Sequence, residues 1–368
     1  MMAAAVPRLD AVGPEWNALF DAGPGLQSRR AWFAATEDAA VPNGAQPQFV
    51  LIRDGGVPSA VFPMLAGPGR RMGALTTPYT CLYQPLTPPG ATPGQLRSIG
   101  GAFGRYCRTW PLTVLEAMDP QWPGLPPLLR GIRDAGLLAR RFDHFGNWRQ
   151  PLGGVSWAQY LAARPGPLRE TIRRKTRLCE RNGLRLELVR APAAIGPAMA
   201  AYESVYARSW KTPEPFPQFN AALTRHAETE GVLRVGLLWL DERPVAAQYW
   251  TVVNGTATIL KLAHDDAYKS FSPGTVLTAH AIRDMLRHEI IAELDFGRGD
   301  DEYKRQWTSE RRQRIGVLLA DPRQWDGLSA LVRHDVGTAL QSLKRSVRSV
   351  AGGSRPARMP AMPGPVAK

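Results

Sequence analysis

The chain of 368 residues is poor in cysteine, in long apolar runs and in acid. Its 3 cysteines, Cys81, Cys107 and Cys179, are far apart and odd in number. That spacing excludes a disulfide framework and a CxxC zinc knuckle, and makes a reducing compartment the default. No run approaches the roughly 18–20 uncharged apolar residues that a bilayer crossing requires. The opening Met1-Met2-Ala3-Ala4-Ala5-Val6-Pro7 lacks the basic start and apolar stretch of a signal peptide, so a cytoplasmic location is expected. The six histidines, His144, His226, His264, His280, His288 and His334, show no HExxH or other close metal-ligand spacing, and no metal is expected. The absence of GxSxG argues against a serine-hydrolase triad. The absence of GxxxxGK[ST] and GxGxxG argues against a P-loop or Rossmann nucleotide site.

What the chain does have is apolar material, 44% of its residues, with 21% charged, enough to build a core and to exclude global disorder. Its length fits two domains of about 150–180 residues. Lys and Arg number 46 against 32 Asp and Glu, a net charge of +14, which favours phosphate-bearing or otherwise polyanionic partners. The excess is local. Residues 164–190 hold nine basic residues against three Glu, and residues 343–368 hold six basic residues and no acid.

Short helical patterns near Glu15–Asp21 and Arg30–Glu37 precede an apolar run, Phe49–Arg53, the turn Asp54-Gly55-Gly56 and a second run, Val57–Phe62. The arrangement predicts a β-hairpin. Helix, strand and helix follow at Pro93–Trp110, Leu112–Ala117 and Trp122–Leu138. The hairpin signal returns at Leu237–Leu240, Asp241-Glu242-Arg243-Pro244 and Val245–Trp250. With one gap, Asp241 matches Asp54, Pro244 matches Pro58 and Ala246 matches Ala60. A tandem of two related α+β domains is the reading adopted, over residues 1–150 and 151–322. Further elements are expected as strand Thr256–Ala263, helix Pro273–His288, strand Ile291–Phe296, short helix Asp301–Glu310 and strand Ile315–Ala320. A helical stretch, Gly327–Val350, completes a C-terminal helix segment over 323–350. The Pro- and Gly-rich basic tail 351–368 reads as disordered.

Three segments carry candidate chemistry. Lys269-Ser270-Phe271-Ser272-Pro273-Gly274-Thr275 leads into a helix with Ser272 as N-cap and Pro273 at its first position. Unpaired amides at such a start hold phosphate, with Gly274 allowing close approach, Ser272 and Thr275 giving hydroxyls, and Lys269 giving charge. A plain capped helix explains the same residues. The strand end Asp295-Phe296-Gly297-Arg298-Gly299-Asp300 runs into a short helix displaying Tyr303, Lys304 and Trp307. There Asp300 is also explained as a cap and Trp307 as core. Around Arg173, Arg174 and Lys175 runs a basic helix with a thin apolar stripe at Leu168, Ile172 and Cys179. It reads either as a solvated face or as an anion-capturing one.

Together, Leu168-Arg-Glu-Thr-Ile-Arg-Arg-Lys, Phe271-Ser-Pro-Gly-Thr and Asp295-Phe-Gly-Arg-Gly-Asp with Tyr303, Lys304 and Trp307 resemble the FemAB-like, CelD-type branch of the GNAT acyltransferases. Pro78-Tyr-Thr-Cys-Leu-Tyr-Gln-Pro-Leu86 resembles that family's first domain. The resemblance implies an α/β (α+β) fold of two tandem GNAT-like domains, each a mixed, mostly antiparallel sheet flanked by helices. It implies an N-acyltransferase that takes acyl-CoA, such as acetyl-CoA, in a cleft between two splayed strands. The acceptor would be an amine, for instance an amino sugar of an envelope or exopolysaccharide. Lys269, Ser272, Gly274, Thr275 and Lys304 would hold the donor; Arg173, Arg174, Lys175, Asp300 and Trp307 would contact substrate. Deprotonating the amine needs a base, for which Asp266 is the candidate, with His264 and Asp265 beside it, and Tyr303 would protonate the leaving thiolate. The Gln/Arg-x-x-Gly-x-Gly/Ala pyrophosphate signature of ordinary GNAT enzymes is replaced by Ser-Pro-Gly-Thr. An aminoacyl-tRNA donor, as in FemX-like enzymes, is the alternative; nucleic acid is otherwise not expected as a partner. A non-catalytic basic adaptor at the inner membrane or on nucleic acid is the third reading, with the basic tail as the membrane contact.

Overall fold

The computed structural model describes residues 1–333. The first half contains β1 (Met2–Val6), α1 (Asn17–Asp21), α2 (Arg30–Ala39), β2 (Gln46–Asp54), β3 (Val57–Gly67) and β4 (Arg71–Ala74). It continues with α3 (Pro93–Cys107), β5 (Leu112–Met118), α4 (Leu125–Asp134) and β6 (Leu138–Pro151). The second half contains α5 (Trp157–Ala162), α6 (Gly166–Arg181), β7 (Leu184–Val189), α7 (Pro192–Tyr206), α8 (Phe219–Ala227), β8 (Leu233–Leu240) and β9 (Arg243–Val253). There follow β10 (Thr256–His264), α9 (Pro273–His288), β11 (Glu293–Arg298), α10 (Lys304–Trp307) and β12 (Glu310–Ala320). A helix over 325–333 begins within the expected C-terminal segment; the rest of that segment and the tail 351–368 lie outside the described residues.

The strands form one twelve-stranded sheet in the order β1-β2-β3-β4-β5-β12-β6-β11-β10-β9-β8-β7. Pairing is antiparallel except for β4 with β5 and β10 with β11. The order is a repeat with its last strands exchanged: β12 pairs with β5, and β6 pairs with β11. The α/β, mostly antiparallel fold with flanking helices is as expected, and the two halves close on one continuous sheet. Helices of both halves share a core, in which Trp32 meets Phe219 edge to face at 5.1 Å.

The repeat can be read residue by residue. In the hairpins, Ile52 pairs with Ala60 and Arg53 with Pro58 across a bulge; Leu238 pairs with Ala246 and Trp239 with Pro244 across an equivalent bulge. The offset is a constant 186 with no gap, so Asp241 stands where Gly55 is, not Asp54. Both take positive φ, 51° and 53°. The strands that follow the long helices are also equivalent. Ala117 in β5 and Gly297 in β11 both have positive φ, 57° and 67°, at interruptions of the ladder.

Candidate active site

Pairing between β10 and β11 covers only Thr256–Thr258 against Glu293–Asp295. Beyond it both strands depart from regular register. β10 bulges between Ile259 and Lys261, and β11 turns at Gly297. The turn is built by the Asp295 carboxylate, which accepts the Gly297 amide at 2.7 Å and the Asn147 side-chain amide at 2.7 Å. Asn147 also donates to the Gly297 carbonyl at 2.8 Å, and Arg312 holds the second Asp295 oxygen at 2.6 Å. A Cβ at Gly297 would lie 3.0 Å from the Ile259 carbonyl, so the position requires glycine on contact as well as on φ. The strands therefore part, and β10 amides directed toward β11 past Thr258 have no strand partner. A backbone donor left free in this way is what an oxyanion requires.

The gap opens into a cleft of about 550 Å³ walled by both halves. Tyr79 and Cys81 come from the first half, Trp210 to Glu214 from the α7–α8 loop, and Tyr303 and Lys304 from beyond β11. On its floor Lys261 is 8% exposed, with Nζ 2.9 Å from Glu214 Oε1 and 3.8 Å from the Tyr79 ring centre. Burial lowers the Lys261 ammonium pKa below its ordinary value, with Glu214 opposing. Burial alone would raise the Glu214 carboxyl, but the Lys261 charge together with hydrogen bonds from Lys261, Tyr79 and Tyr206 outweighs it and holds the group below the usual carboxylate range. Burial, with Asp301 adding, pushes the Tyr303 phenol up to about 12, so it stays protonated at neutral pH.

The phosphate-loop candidate sits beyond the end of β10. Ser272 precedes α9 with φ 52°, and its hydroxyl caps no amide. Its carbonyl accepts the amides of Thr275 and Val276, at 3.0 and 3.1 Å. Pro273 has no amide to give, and the Gly274 amide has no partner among the described residues. Lys175 of α6 donates from Nζ to the Ser270 carbonyl, tying the basic helix to this loop.

Other expected site residues fall elsewhere. Asp266 is exposed on the turn after β10 and is not among the residues lining the cleft. Asp265 is buried and committed: Arg208 lies 3.2 Å and Arg243 2.8 Å from its Oδ2, and it accepts the Ala267 amide. His264 packs against Trp210 with ring centres 4.2 Å apart and planes tilted by 39°, its pKa lowered by burial. Lys304 does line the cleft, but its Nζ is spent on the Arg298 carbonyl at 2.7 Å and Asp301 at 3.0 Å, bracing the Gly297–Gly299 turn. Asp300 is held by Arg311 through two bonds of 2.7 Å. The Trp307 indole belongs to the core at 3% exposed, and its carbonyl accepts from Tyr160 and Arg164. Arg173 is paired with Glu170 on α6, and neither it nor Arg174 lines the cleft.

Glu214 and Lys261 are absent from the sequence-based candidates. Lys261 had a signal, being a cation at an inward phase of an otherwise alternating strand; Glu214, in a Pro-rich loop, had none.

A second chamber of about 400 Å³ adjoins the cleft, and Cys81 lines both. It lies over the paired part of β10 and β11. Thr251 and Thr258, cross-strand neighbours, face it with Thr256, Gln84, Asp119 and Trp122. Buried Arg314, 1% exposed, has its Nη1 2.8 Å from Asp119.

Residues 167–305 match the family model described as an acetyltransferase (GNAT) domain. Among solved structures, a crystal structure of FemX is similar over 86% of this chain and 97% of its own, at 9% identity and a TM-score of 0.58. The C-terminal domain (DUF2156) of a putative lysylphosphatidylglycerol synthetase from Agrobacterium fabrum is similar over 86% of this chain and 94% of its own. Its identity is 14% and its TM-score 0.54. No curated protein sequence matches. Among the described residues no group of side chains is placed to hold a metal, and no helix is long and apolar enough to cross a membrane. The matched segment supplies the cleft residues from Trp210 to Lys304, and the overall fold is one the chain shares with FemX.

Proposed function

We propose that the protein is an N-acyltransferase that moves an acyl group, acetyl in the simplest case, from a CoA thioester to an amine. One observation carries the reading: two parallel strands part, and the first of them leads through a turn over 266–271 into a helix whose Gly274 amide is left without a partner. Ser272, Gly274, Thr275 and Lys269, which like Asp266 lie outside the cleft lining, would meet the pyrophosphate at the start of that helix. Each such contact contributes only about 0.3–1 kcal/mol at an exposed site, so the affinity requires their convergence.

The amine arrives protonated, since its pKa lies near 10. Glu214 attracts the ammonium and, with Lys261 beside it, takes the proton directly or through water; Asp266 is outside the cleft lining, so the base role passes to Glu214. Glu214 passes that proton to solvent; the free amine attacks the thioester carbonyl, the nitrogen of the adduct gives up its second proton to water, and the C–S bond breaks. The thiolate leaves with the phenolic proton of Tyr303, which regains one from solvent. Amide and thiol are the products. The adjoining chamber supports an acceptor rich in hydroxyls, because threonine hydroxyls, glutamine amides, carboxylates and an indole face are what a sugar ring engages. An amino sugar is therefore the acceptor class.

Calorimetric titration with acetyl-CoA tests the reading; micromolar binding is expected, weakened by Ser272→Glu. Binding of aminoacyl-tRNA without binding of acetyl-CoA assigns the donor to an aminoacyl ester instead. Binding of anionic vesicles alone, lost on deleting 351–368, leaves a membrane adaptor.

A further inference from the structure

Away from the cleft, a groove of about 480 Å³ runs between α6 and α9. Arg169, Arg173 and Arg177 lie along one side of it at four-residue spacing, a single row on α6. Arg283 of α9 faces it as well, so four arginines meet one lining carboxylate, Glu180. Arg173 is shared with Glu170, whereas the guanidiniums of Arg169 and Arg177 have no partner among the described residues. Gathering like charges costs Coulomb energy, which an anionic ligand returns. Arginine rather than lysine suits a phosphate, whose oxygens its planar fork binds in pairs.

The floor is of another character. Trp157, Ile172 and Val276 make it apolar and partly aromatic, as a flat heterocycle requires. Its position gives the decisive constraint. Val276 is two residues beyond Gly274, and Lys175 ties α6 to the loop before α9. From Gly274, Arg283 lies nine residues along α9, about 14 Å at 1.5 Å per residue, a span that a nucleotide attached to a pyrophosphate covers.

We propose that this groove binds the nucleotide end of the donor, its base on the apolar floor and its 3′-phosphomonoester among the arginines. The inference rests on the CoA reading and deepens it. Titration of the full chain with CoA and with 3′-dephospho-CoA separates the two. CoA should bind roughly tenfold or more tightly than the dephospho compound, the worth of one charge-assisted bond set. The exposed double substitution Arg169→Ala with Arg177→Ala should erase that preference, weakening CoA while leaving 3′-dephospho-CoA unchanged; circular dichroism and the melting temperature would verify that the variant is folded. Equal affinity for both compounds, or equal weakening of both, overturns the groove assignment and leaves the CoA reading standing. Failure of both compounds to bind overturns both.

Discussion

In the first half, Thr92 precedes α3 at φ −68° and its hydroxyl accepts the Gln95 amide, while the Gln95 side chain accepts the Thr92 amide, a complete capping box. In the second half, Ser272 precedes α9 in the equivalent Ser-Pro-Gly, yet stands at φ 52° and caps nothing. Neighbouring features differ in the same sense. Helix α4 is pressed onto α3 through glycines: a Cβ at Gly131 would lie 1.8 Å from the Arg97 carbonyl, and one at Gly100 2.1 Å from the Leu128 carbonyl. Its counterpart α10 spans only Lys304–Trp307, leaving Tyr303 at the cleft. The apolar Leu115 of β5 becomes Asp295 in β11, two residues before the left-handed position in each strand. One half satisfies its own donors and fills its own gap. The other leaves donors and a gap available, and that is where a ligand can be held.

The sharpest break in this comparison is expected at Glu214, which pairs with buried Lys261 on the cleft floor. Glu214→Gln should lower kcat by about 10²–10⁴-fold with acetyl-CoA affinity unchanged, as measured by steady-state kinetics and calorimetry. Asp266→Asn should stay within about twofold; a larger drop would return the base role to Asp266. Because the Glu214 carboxyl is held below its ordinary 4.5, kcat/KM should stay on its plateau down to that region and fall only below it. Stability follows the same sign: the Lys261–Glu214 contribution is present above the unfolded carboxyl range and is lost as pH falls through the lower folded value. Chemical unfolding at pH 3 and pH 6 checks it.

Next in size is Gly131→Ala, which drives a methyl into the backbone of α3 and should cost about 3 kcal/mol or more in urea unfolding. An Ala tolerated there would show that the first half is not locked as described. Gly274→Asp should weaken acetyl-CoA by roughly a hundredfold, since it sets a carboxylate at the phosphate-facing amide, about 2.7 kcal/mol. Gly94→Asp, at the matching place in the capped half, should leave affinity alone. Smallest and most diagnostic are the caps themselves. Thr92→Ala should lose about 1 kcal/mol of stability, whereas Ser272→Gly should gain on the order of 1 kcal/mol by relieving the left-handed backbone. Changes of one sign in both thermal melts would erase the contrast.

Much of this was legible beforehand because it is local or periodic. The hairpin at Phe49–Phe62 and its copy at Leu237–Trp250 and the helix at Pro273–His288 follow from alternation, Gly turns and the Ser-Pro start, whereas the parting strands were implied by the family resemblance alone. Strand ends shifted by a few residues: β11 runs Glu293–Arg298 rather than Ile291–Phe296, and β12 begins at Glu310. The charged run Glu310–Arg314 hid its strand because its cations are neutralised by distant partners, Asp295 and Asp119 among them. Strand β6 was missed for a related reason. Its Arg140, Arg141 and Asp143 read as surface, and its place is set by strands more than 140 residues away. Ser272 illustrates the remaining limit. Its type predicts a cap, but its φ is imposed by the turn it closes, which no spacing reveals.

The exchanged strands have a bearing on how such a site can be altered. Asn147, which fixes the turn at Gly297, belongs to the last strand of the other half. A chain cut at the junction near residue 150 would thus separate the opening from the side chain that shapes it. Likewise, substitutions in a stretch that touches no ligand would retune the width of the mouth, so both repeats must vary in concert for the pair to keep working.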